Sequence, residues 1–108
     1  NFLLLFLATS AEDNTVRIWD LRKLSNIKTF KYEDDITHVR FDYSGTYLGV
    51  SGSSFRIITT KKQGDRKQWE EIVSVDSSAQ LTDFVFSSRT DFLVSTDRLL
   101  RVFGIYHK

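Results

Sequence analysis

The chain has 108 residues, of which 41% are hydrophobic, 27% charged and 14% aromatic, and its formal net charge is +1. This composition is typical of a folded globular protein and excludes a disordered tail, and the nearly neutral total gives no indication of nucleic-acid or membrane binding. Because the chain contains no cysteine, it has no disulfide, no thiolate metal site and no cysteine nucleophile.

The first part of the chain predicts strands at 4–10, 15–20 and 27–30. The apolar run that opens it is much too short to cross a bilayer, so we interpret it as a buried strand. In the next strand Val16 and Ile18 point to one side while Arg17 and Trp19 point to the other, which is the period of a β-strand. The acidic and amide-bearing turn at 11–14 predicts a tight hairpin between the two.

The remainder predicts two more units of the same kind. Their strands are expected at 36–41, 46–51, 55–59 and 69–75, and then at 81–86, 92–95 and 99–103. Gly45 suits the hairpin between the first two of these strands, because glycine accepts the positive φ that such turns need. The charged stretch 61–67 is expected to be a linker, and residues 31–35 cross between the first and second units.

The units repeat. A shift of 45 positions superimposes the second unit on the third, and a shift of 39 places Val16 on Phe55 and Trp19 on Ile58. A repeat of roughly 40–45 residues with four strands in each period is typical of propeller blades.

Residues 7–20, LATSAEDNTVRIWD, resemble the WD40 repeat nearly residue for residue. The resemblance implies an all-β WD40 propeller with antiparallel four-stranded blades. It also implies a buried hydrogen-bond network that includes Thr9, Asp13 and Trp19, with the Trp19 indole as a donor. The later blades depart from the pattern: Ile58 and Phe103 replace tryptophan and no turn aspartate precedes Phe55, so we expect packing to replace the network there.

At this period the chain holds roughly two and a half blades, whereas closed propellers have about four to eight. We therefore expect a fragment comprising the last two to three blades, with the ring closed by residues outside this chain. Residues 1–30 are predicted to end one blade, 31–75 to form the second blade and 76–108 to form the final one.

The connections at 19–30 and 41–48, together with 67–69, resemble the terminal blades of U-box ubiquitin ligases that act as splicing scaffolds. This resemblance implies a nuclear protein of pre-mRNA splicing and DNA repair whose propeller recruits splicing-complex subunits or ubiquitylation substrates. It also implies a homotetramer formed by a coiled coil outside this segment. We expect no membrane association, no direct contact with nucleic acid and no cofactor.

Two rims of the propeller are candidate surfaces. The connections that enter the first strand and join the second and third strands of each blade would form a partner-binding rim, with the residues Asn14, Tyr32, Asp34, Asp35, Ser53, Ser54 and Arg98. The connections between the third and fourth strands would form a basic rim on the opposite side, with Arg22, Lys23, Lys61, Lys62, Arg66 and Lys67. An acidic peptide or an RNA backbone would suit the basic rim, but solubilising loops are the simpler interpretation because no aromatic residues interleave to stack bases.

Two alternatives remain open. The second hypothesis is an unrelated WD40 scaffold of another nuclear complex, in ribosome biogenesis or chromatin. A propeller enzyme with an active site in the central channel is a third hypothesis, but the inner strands offer only His38 and Arg40. His38 and His107 lie at no triad or metal-site spacing, and the acidic run 33–35 is typical of a solvated crossing, so we expect no catalytic residue and no metal site in this segment.

Overall fold

The computed structural model describes residues 6–42, 44–63, 66–76, 83–86, 92–96 and 100–104. These residues form three antiparallel sheets. Blade 1 consists of β1 (Phe6–Ser10), β2 (Thr15–Asp20) and β3 (Ser25–Lys31). Blade 2 consists of β4 (His38–Phe41), β5 (Tyr47–Ser51), β6 (Ser54–Gln63) and β7 (Arg66–Asp76). Blade 3 consists of β8 (Asp83–Phe86), β9 (Phe92–Thr96) and β10 (Leu100–Gly104).

Each sheet is a meander in which consecutive strands pair. The order is β1-β2-β3 in blade 1, β4-β5-β6-β7 in blade 2 and β10-β9-β8 in blade 3. Ile57 and Val102, which the 45-residue shift superimposes, both lie in the third strand of a meander, in β6 and β10. Ile36 precedes β4, so the first strand of blade 2 begins two residues later than predicted, and Leu81 lies outside the described residues. The all-β prediction is confirmed.

The β1–β2 hairpin follows the predicted turn chemistry. Asn14 has φ of 63°, a left-handed conformation that asparagine tolerates better than most residues. Its N–H donates to the carbonyl of Ala11 at 3.1 Å, and the N–H of Ala11 donates to the carbonyl of Thr15 at 3.2 Å. The alternation in β2 is as expected, because Val16 and Ile18 are fully buried while Arg17 and Trp19 are partly exposed.

The charged stretch 61–67 is not the linker that we expected. β6 continues to Gln63 and β7 starts at Arg66, so Lys61 pairs with Gln68 and Lys62 with Lys67 in one long hairpin. Because a hairpin satisfies backbone N–H and C=O groups whatever its side chains are, the ladder extends through residues that have no apolar alternation.

The two faces of blade 2 pack on different neighbours. Leu48, Val50 and Ile58 are fully buried against Val16 and Ile18 of blade 1. The residues that pack toward blade 3 form a second cluster of Tyr47, Phe55, Ile57 and Phe84, with Ile72 and Phe86 at its edge. Burial on both faces explains why β5 is buried at every position.

Gly49 fixes how closely blades 2 and 3 approach. A Cβ atom built on Gly49 would lie 2.7 Å from Cζ of Phe84 and 3.2 Å from Cε2 of Phe86. The Phe84 ring, which is 1% exposed, therefore occupies the place of a side chain on β5. Any larger residue at position 49 would displace this ring.

Within the described segments no helix has both the length and the apolar character that a membrane crossing requires.

Candidate functional site

Trp19 and Thr9 form the polar pair of blade 1. The Trp19 indole Nε1–H donates to Thr9 Oγ1 at 2.9 Å, between β2 and β1. Both side chains are partly buried, so the bond provides a partner for an N–H that water reaches poorly. Asp13 makes its own contacts with β2: its carboxylate accepts hydrogen bonds from the N–H of Thr15 at 3.2 Å and from Arg17 Nη2 at 3.1 Å.

Blade 2 has an apolar pair at the corresponding positions. Arg17 lies opposite Thr9 in the β1–β2 pairing, and Arg56 lies opposite Val50 in the β5–β6 pairing. Because Arg56 is the repeat equivalent of Arg17, Val50 corresponds to Thr9. Ile58, two residues after Arg56, likewise corresponds to Trp19. Val50 and Ile58 are both fully buried against blade 1. Apolar packing therefore stands where blade 1 has a hydrogen bond.

In blade 2 the carboxylate that pairs with the arginine comes from another part of the chain instead of from the turn. Arg56, which lies 39 positions after Arg17, pairs with Asp34 in the connection between β3 and β4. Asp34 Oδ2 accepts from Arg56 Nη1 at 3.1 Å and from the N–H of Ser53 at 2.8 Å, and Asp34 Oδ1 accepts from Arg56 Nη2. Gly52 stands where Asp13 would fall, and a Cβ atom there would overlap Asp34 Oδ2. The carboxylate of Asp34 thus fills the space of the missing side chain.

Arg56 also connects Asp34 to an aromatic residue. Its guanidinium Cζ lies 4.4 Å from the centre of the Tyr32 ring, and the Tyr32 hydroxyl donates to Glu71 Oε1 at 3.1 Å. Burial, followed by the negative charge of Glu71, raises the pKa of the Tyr32 phenol well above its usual range. Burial alone would raise the pKa of Asp34, but the hydrogen bonds from Arg56 and Ser53 outweigh it and hold this pKa at about 2.

The turn of blade 1 is tied to the same connection. The Asn14 carbonyl accepts the N–H of Tyr32 at 2.9 Å, and the Asp13 carbonyl accepts a hydrogen bond from Lys31 Nζ. Hydrogen bonds from Thr15 first, and then from Arg17, lower the pKa of the Asp13 carboxyl to about 2. The turn at 11–14 and the connection at 32–35 therefore form one surface.

This surface holds most of the predicted partner-binding rim. Asp35 and Ser53 are exposed on it, Asn14 is partly exposed, and Tyr32 and Asp34 are held by Arg56. Ser54 begins β6 and is only 7% exposed, so its side chain contributes little to the surface. Arg98 lies outside the described residues. Arg56 and Glu71 were not among the predicted site residues, although the 39-residue shift from Arg17 points to Arg56.

A cleft of about 460 Å³ lies on this rim between blade 1 and the crossing into blade 2. Its walls come from the end of β1, the turn that follows it, and the connection before β4, and it is lined by Ser10, Ala11, Glu12, Asn14, Asp35 and Ile36. Sequence inspection missed Ser10, Ala11, Glu12 and Ile36, because only the packing of the two segments brings them together.

The residues of the predicted basic rim lie in two connections between strands. Arg22 and Lys23 are exposed in the β2–β3 turn, where their N–H groups donate to Asp20 Oδ1 at 2.9 Å and 3.3 Å. Although burial of Asp20 acts in the opposite direction, these N–H groups hold the pKa of its carboxyl below the usual value. The other four residues, Lys61, Lys62, Arg66 and Lys67, lie on the backbone of the β6–β7 hairpin toward its tip. Because β2 and β6 are equivalent strands, both groups lie at the same end of their blades.

The expected absence of catalytic and metal-binding residues stays a prediction, since side chains are described for only part of the chain. No three carboxylate, histidine or cysteine side chains converge there to hold a metal ion. His38 lies partly buried in β4, and His107 lies outside the described residues.

The family model for the WD domain, G-beta repeat, matches residues 4–20, the segment that holds Thr9, Asp13 and Trp19. The structure is similar to the crystal structure of the C-terminal WD40 domain of Sif2, with a TM-score of 0.81 over 94% of this chain and 31% of that chain, at 16% identity. The meanders, the repeat and this likeness define the class of protein: the chain is a segment of a WD40 β-propeller.

Within that class the chain is similar to Pre-mRNA-processing factor 19. It is 39% identical over 105 residues to Pre-mRNA-processing factor 19 homolog 2 of Arabidopsis thaliana, covering 93% of this chain and 19% of that protein. It is 36% identical over 107 residues to Pre-mRNA-processing factor 19 of Oryza sativa subsp. japonica, covering 92% of this chain and 20% of that protein. The chain thus spans about a fifth of the length of these curated relatives, and its WD40 fold and its relatives support a protein-interaction, scaffolding role.

Proposed function

We propose that this segment is the partner-recruiting propeller of a nuclear protein of the Pre-mRNA-processing factor 19 type, acting in pre-mRNA splicing. The observation that carries the proposal is the 39% identity to the Arabidopsis relative over 93% of the chain. The similarity extends over strands and connections alike, and in propellers it is the connections that carry binding residues while the strands carry the fold.

The activity of the whole protein is part of the same proposal. A U-box outside this segment would position a ubiquitin-charged conjugating enzyme, and a coiled coil would assemble a homotetramer. The propeller would present substrates or splicing-complex subunits and serve DNA repair as well. In this arrangement the segment binds and positions partners, and the chemistry takes place elsewhere in the chain.

Within the segment we assign partner contact to the rim formed by residues 11–14, 32–35 and 53. Its backbone is held by Asn14, and its side chains are held by the Arg56–Asp34 pair, so the exposed groups stand on a rigid support. A preorganised surface loses less conformational entropy on binding than a mobile loop does.

The test compares the two rims in the full-length protein. The partner-binding rim is altered by Asp35→Lys with Ser53→Arg, and the basic rim by Arg22→Glu with Lys23→Glu as a matched control; all four side chains are exposed. Each tagged variant is recovered from nuclear extract, and captured proteins and spliceosomal small nuclear RNAs are quantified. A melting temperature equal to that of the unaltered protein verifies the fold.

We expect the Asp35/Ser53 variant to lose captured proteins and the Arg22/Lys23 variant to retain them. Identical capture by all three proteins would overturn the assignment of the rim, and absence of spliceosomal RNA from every capture would overturn the splicing role. Autoubiquitylation with a purified activating enzyme, conjugating enzyme and ubiquitin tests the ligase separately.

A further inference from the structure

We propose that the cleft between the 11–14 turn and the 35–36 crossing binds a basic peptide segment of a partner protein, with Glu12 and Asp35 receiving its lysine or arginine side chains. The inference rests on the proposed interaction role and adds the chemistry of the ligand.

The first argument concerns which carboxylates are free to receive a ligand. Asp13 is occupied by Thr15 and Arg17, and Asp34 by Arg56 and Ser53. Glu12 and Asp35 are exposed, and in the described structure neither carboxylate accepts a hydrogen bond or forms an ion pair. The two acidic groups that line the cleft are therefore among those whose charge is not already compensated.

The second argument concerns the shape and the apolar part of the cleft. Its volume of about 460 Å³ is in the range of binding sites for small ligands or individual side chains. Ala11 and Ile36 line it beside the carboxylates, so the methylene stem of a lysine or arginine can contact apolar surface while its charged end reaches an acidic group. Ser10 and Asn14 add polar groups that can bond to a peptide backbone.

The third argument excludes other ligands. A phosphate backbone would be repelled by two uncompensated carboxylates, so this cleft does not suit nucleic acid. A metal ion would need several converging ligands, and the described residues contain no such cluster. A peptide with positive side chains complements both the charge and the shape.

The rim also keeps the cleft in place without a ligand. The Asn14 carbonyl fixes Tyr32, and Arg56 fixes Asp34, the residue directly before Asp35. Both walls of the cleft are thus anchored by hydrogen bonds that use neither the Glu12 nor the Asp35 carboxylate.

The experiment measures binding of a fluorescein-labelled decalysine peptide to the full-length protein by fluorescence anisotropy at physiological salt. Three variants are compared: Glu12→Gln with Asp35→Asn, which removes the charges; Ala11→Phe, which fills the cleft and keeps them; and Glu33→Gln, an exposed carboxylate of the same connection that does not line the cleft. Decaglutamate and a single-stranded RNA decamer serve as opposite-charge probes.

We expect the charge-removing and cleft-filling variants each to weaken decalysine binding at least about fivefold, and Glu33→Gln to weaken it less than about twofold, because an unpaired surface charge outside the cleft contributes little. Equal weakening by Glu33→Gln would show a general surface-charge effect and overturn the inference. Unchanged affinity in Ala11→Phe, no decalysine binding, or binding of the RNA decamer at the cleft would each overturn it as well.

The proposed function has a separate test, which does not depend on decalysine binding. The assignment of the rim is wrong if the Asp35→Lys, Ser53→Arg protein captures the same partners as the unaltered protein. If that protein loses its partners while Glu12→Gln with Asp35→Asn leaves decalysine binding unchanged, only the basic-peptide inference is wrong.

Discussion

In blade 1, Arg17 of β2 pairs with Asp13 of its own turn, whereas in blade 2 the equivalent Arg56 pairs with Asp34 from the connection that precedes the blade. The Arg17 and Asp13 side chains are 33% and 50% exposed, but those of Arg56 and Asp34 are only 9% and 18% exposed. The same ion pair is therefore a surface contact in one blade and an almost buried one in the next. A repeat can thus keep an interaction while the residue that provides half of it moves elsewhere in the chain.

The second difference between the blades is the pair that joins the second and third strands of the repeat. Blade 1 has the Trp19–Thr9 hydrogen bond, and blade 2 has Ile58 against Val50. The apolar pair packs with Val16 and Ile18 of blade 1 and is fully buried, so a single polar replacement would bury a polar group among apolar neighbours.

The largest expected effect contrasts the two arginines. Replacing Arg56 by Ala should lower the free energy of unfolding by about 3–5 kcal/mol, because it leaves the largely buried Asp34 carboxylate without its cation. Arg17→Ala should change stability far less, since water screens an exposed pair. Urea denaturation of the full-length protein measures both, and equal losses would contradict the difference between the blades.

A double-mutant cycle tests whether Asp34 replaces the turn aspartate. Gly52→Asp alone should destabilise the protein, because its side chain would meet Asp34 Oδ2 and lie close to the Asp35 carbonyl, 2.6 Å from the new Cβ. Asp34→Ala alone leaves Arg56 unpaired. The double variant should recover part of both losses, with an interaction energy of about 1–3 kcal/mol.

Denaturation curves of the four proteins give this interaction energy directly. If the two losses simply add to within about 0.5 kcal/mol, the side chains of positions 34 and 52 do not compete for the same space.

A smaller effect is expected when the strand pairs are exchanged. Val50→Thr should cost about 1–3 kcal/mol, because it buries a hydroxyl where the neighbours are apolar. Thr9→Val should cost about 0.5–1.5 kcal/mol, since it removes one hydrogen bond from a partly exposed indole. Thermal melts of both variants show which one loses more stability, and a larger loss for Thr9→Val would contradict the prediction.

The smallest expected effect is on the way the stability of the fold depends on pH. Asp13 and Asp34 both have a folded-state pKa of about 2, below the ordinary value of 3.8. Each therefore contributes stability that is present above pH 3.8 and is lost as the pH falls from there toward 2. Asp34→Asn and Asp13→Asn should each flatten the acid limb of the stability profile.

Added salt should affect the contributions of these two carboxylates to stability differently. Because the Asp13 pair is exposed, added salt should reduce the flattening caused by Asp13→Asn more than that caused by Asp34→Asn. Acid titrations of unfolding at low and high ionic strength provide the measurement, and an equal response to salt would indicate that both pairs are solvated alike.

The sequence pattern was sufficient to find where strands lie and how they repeat, but not to find all of their ends. Alternation in β2 identified the buried Val16 and Ile18, and the shift that superimposes Ile57 on Val102 identified equivalent strands. These features could be predicted because each depends on the period of a strand, which is a local property of the chain. The β6–β7 extension was missed for the converse reason: charged residues carry no apolar alternation even where the backbone ladder continues.

The arrangement of the rim could be predicted only in part. The residues of the rim were named from the order of connections, but the carboxylate that holds Arg56 lies 22 positions away and has no sequence relation to the repeat. The cleft depends on two segments whose contact is set by packing of the sheets. Gly52 is the one indication in the sequence that the partner of Arg56 comes from elsewhere. It stands at the repeat position of Asp13, so the aspartate is lost in blade 2 while the arginine is kept.

The contact between Gly49 and Phe84 bears on how adjacent blades pack. The Phe84 ring belongs to β8, the first strand of the next meander, and it lies where β5 has no side chain. A methyl group at position 49 would overlap the Phe84 ring, so either the ring or the strand that carries it would have to move. One absent side chain thus makes room for the aromatic ring through which blade 3 packs on blade 2.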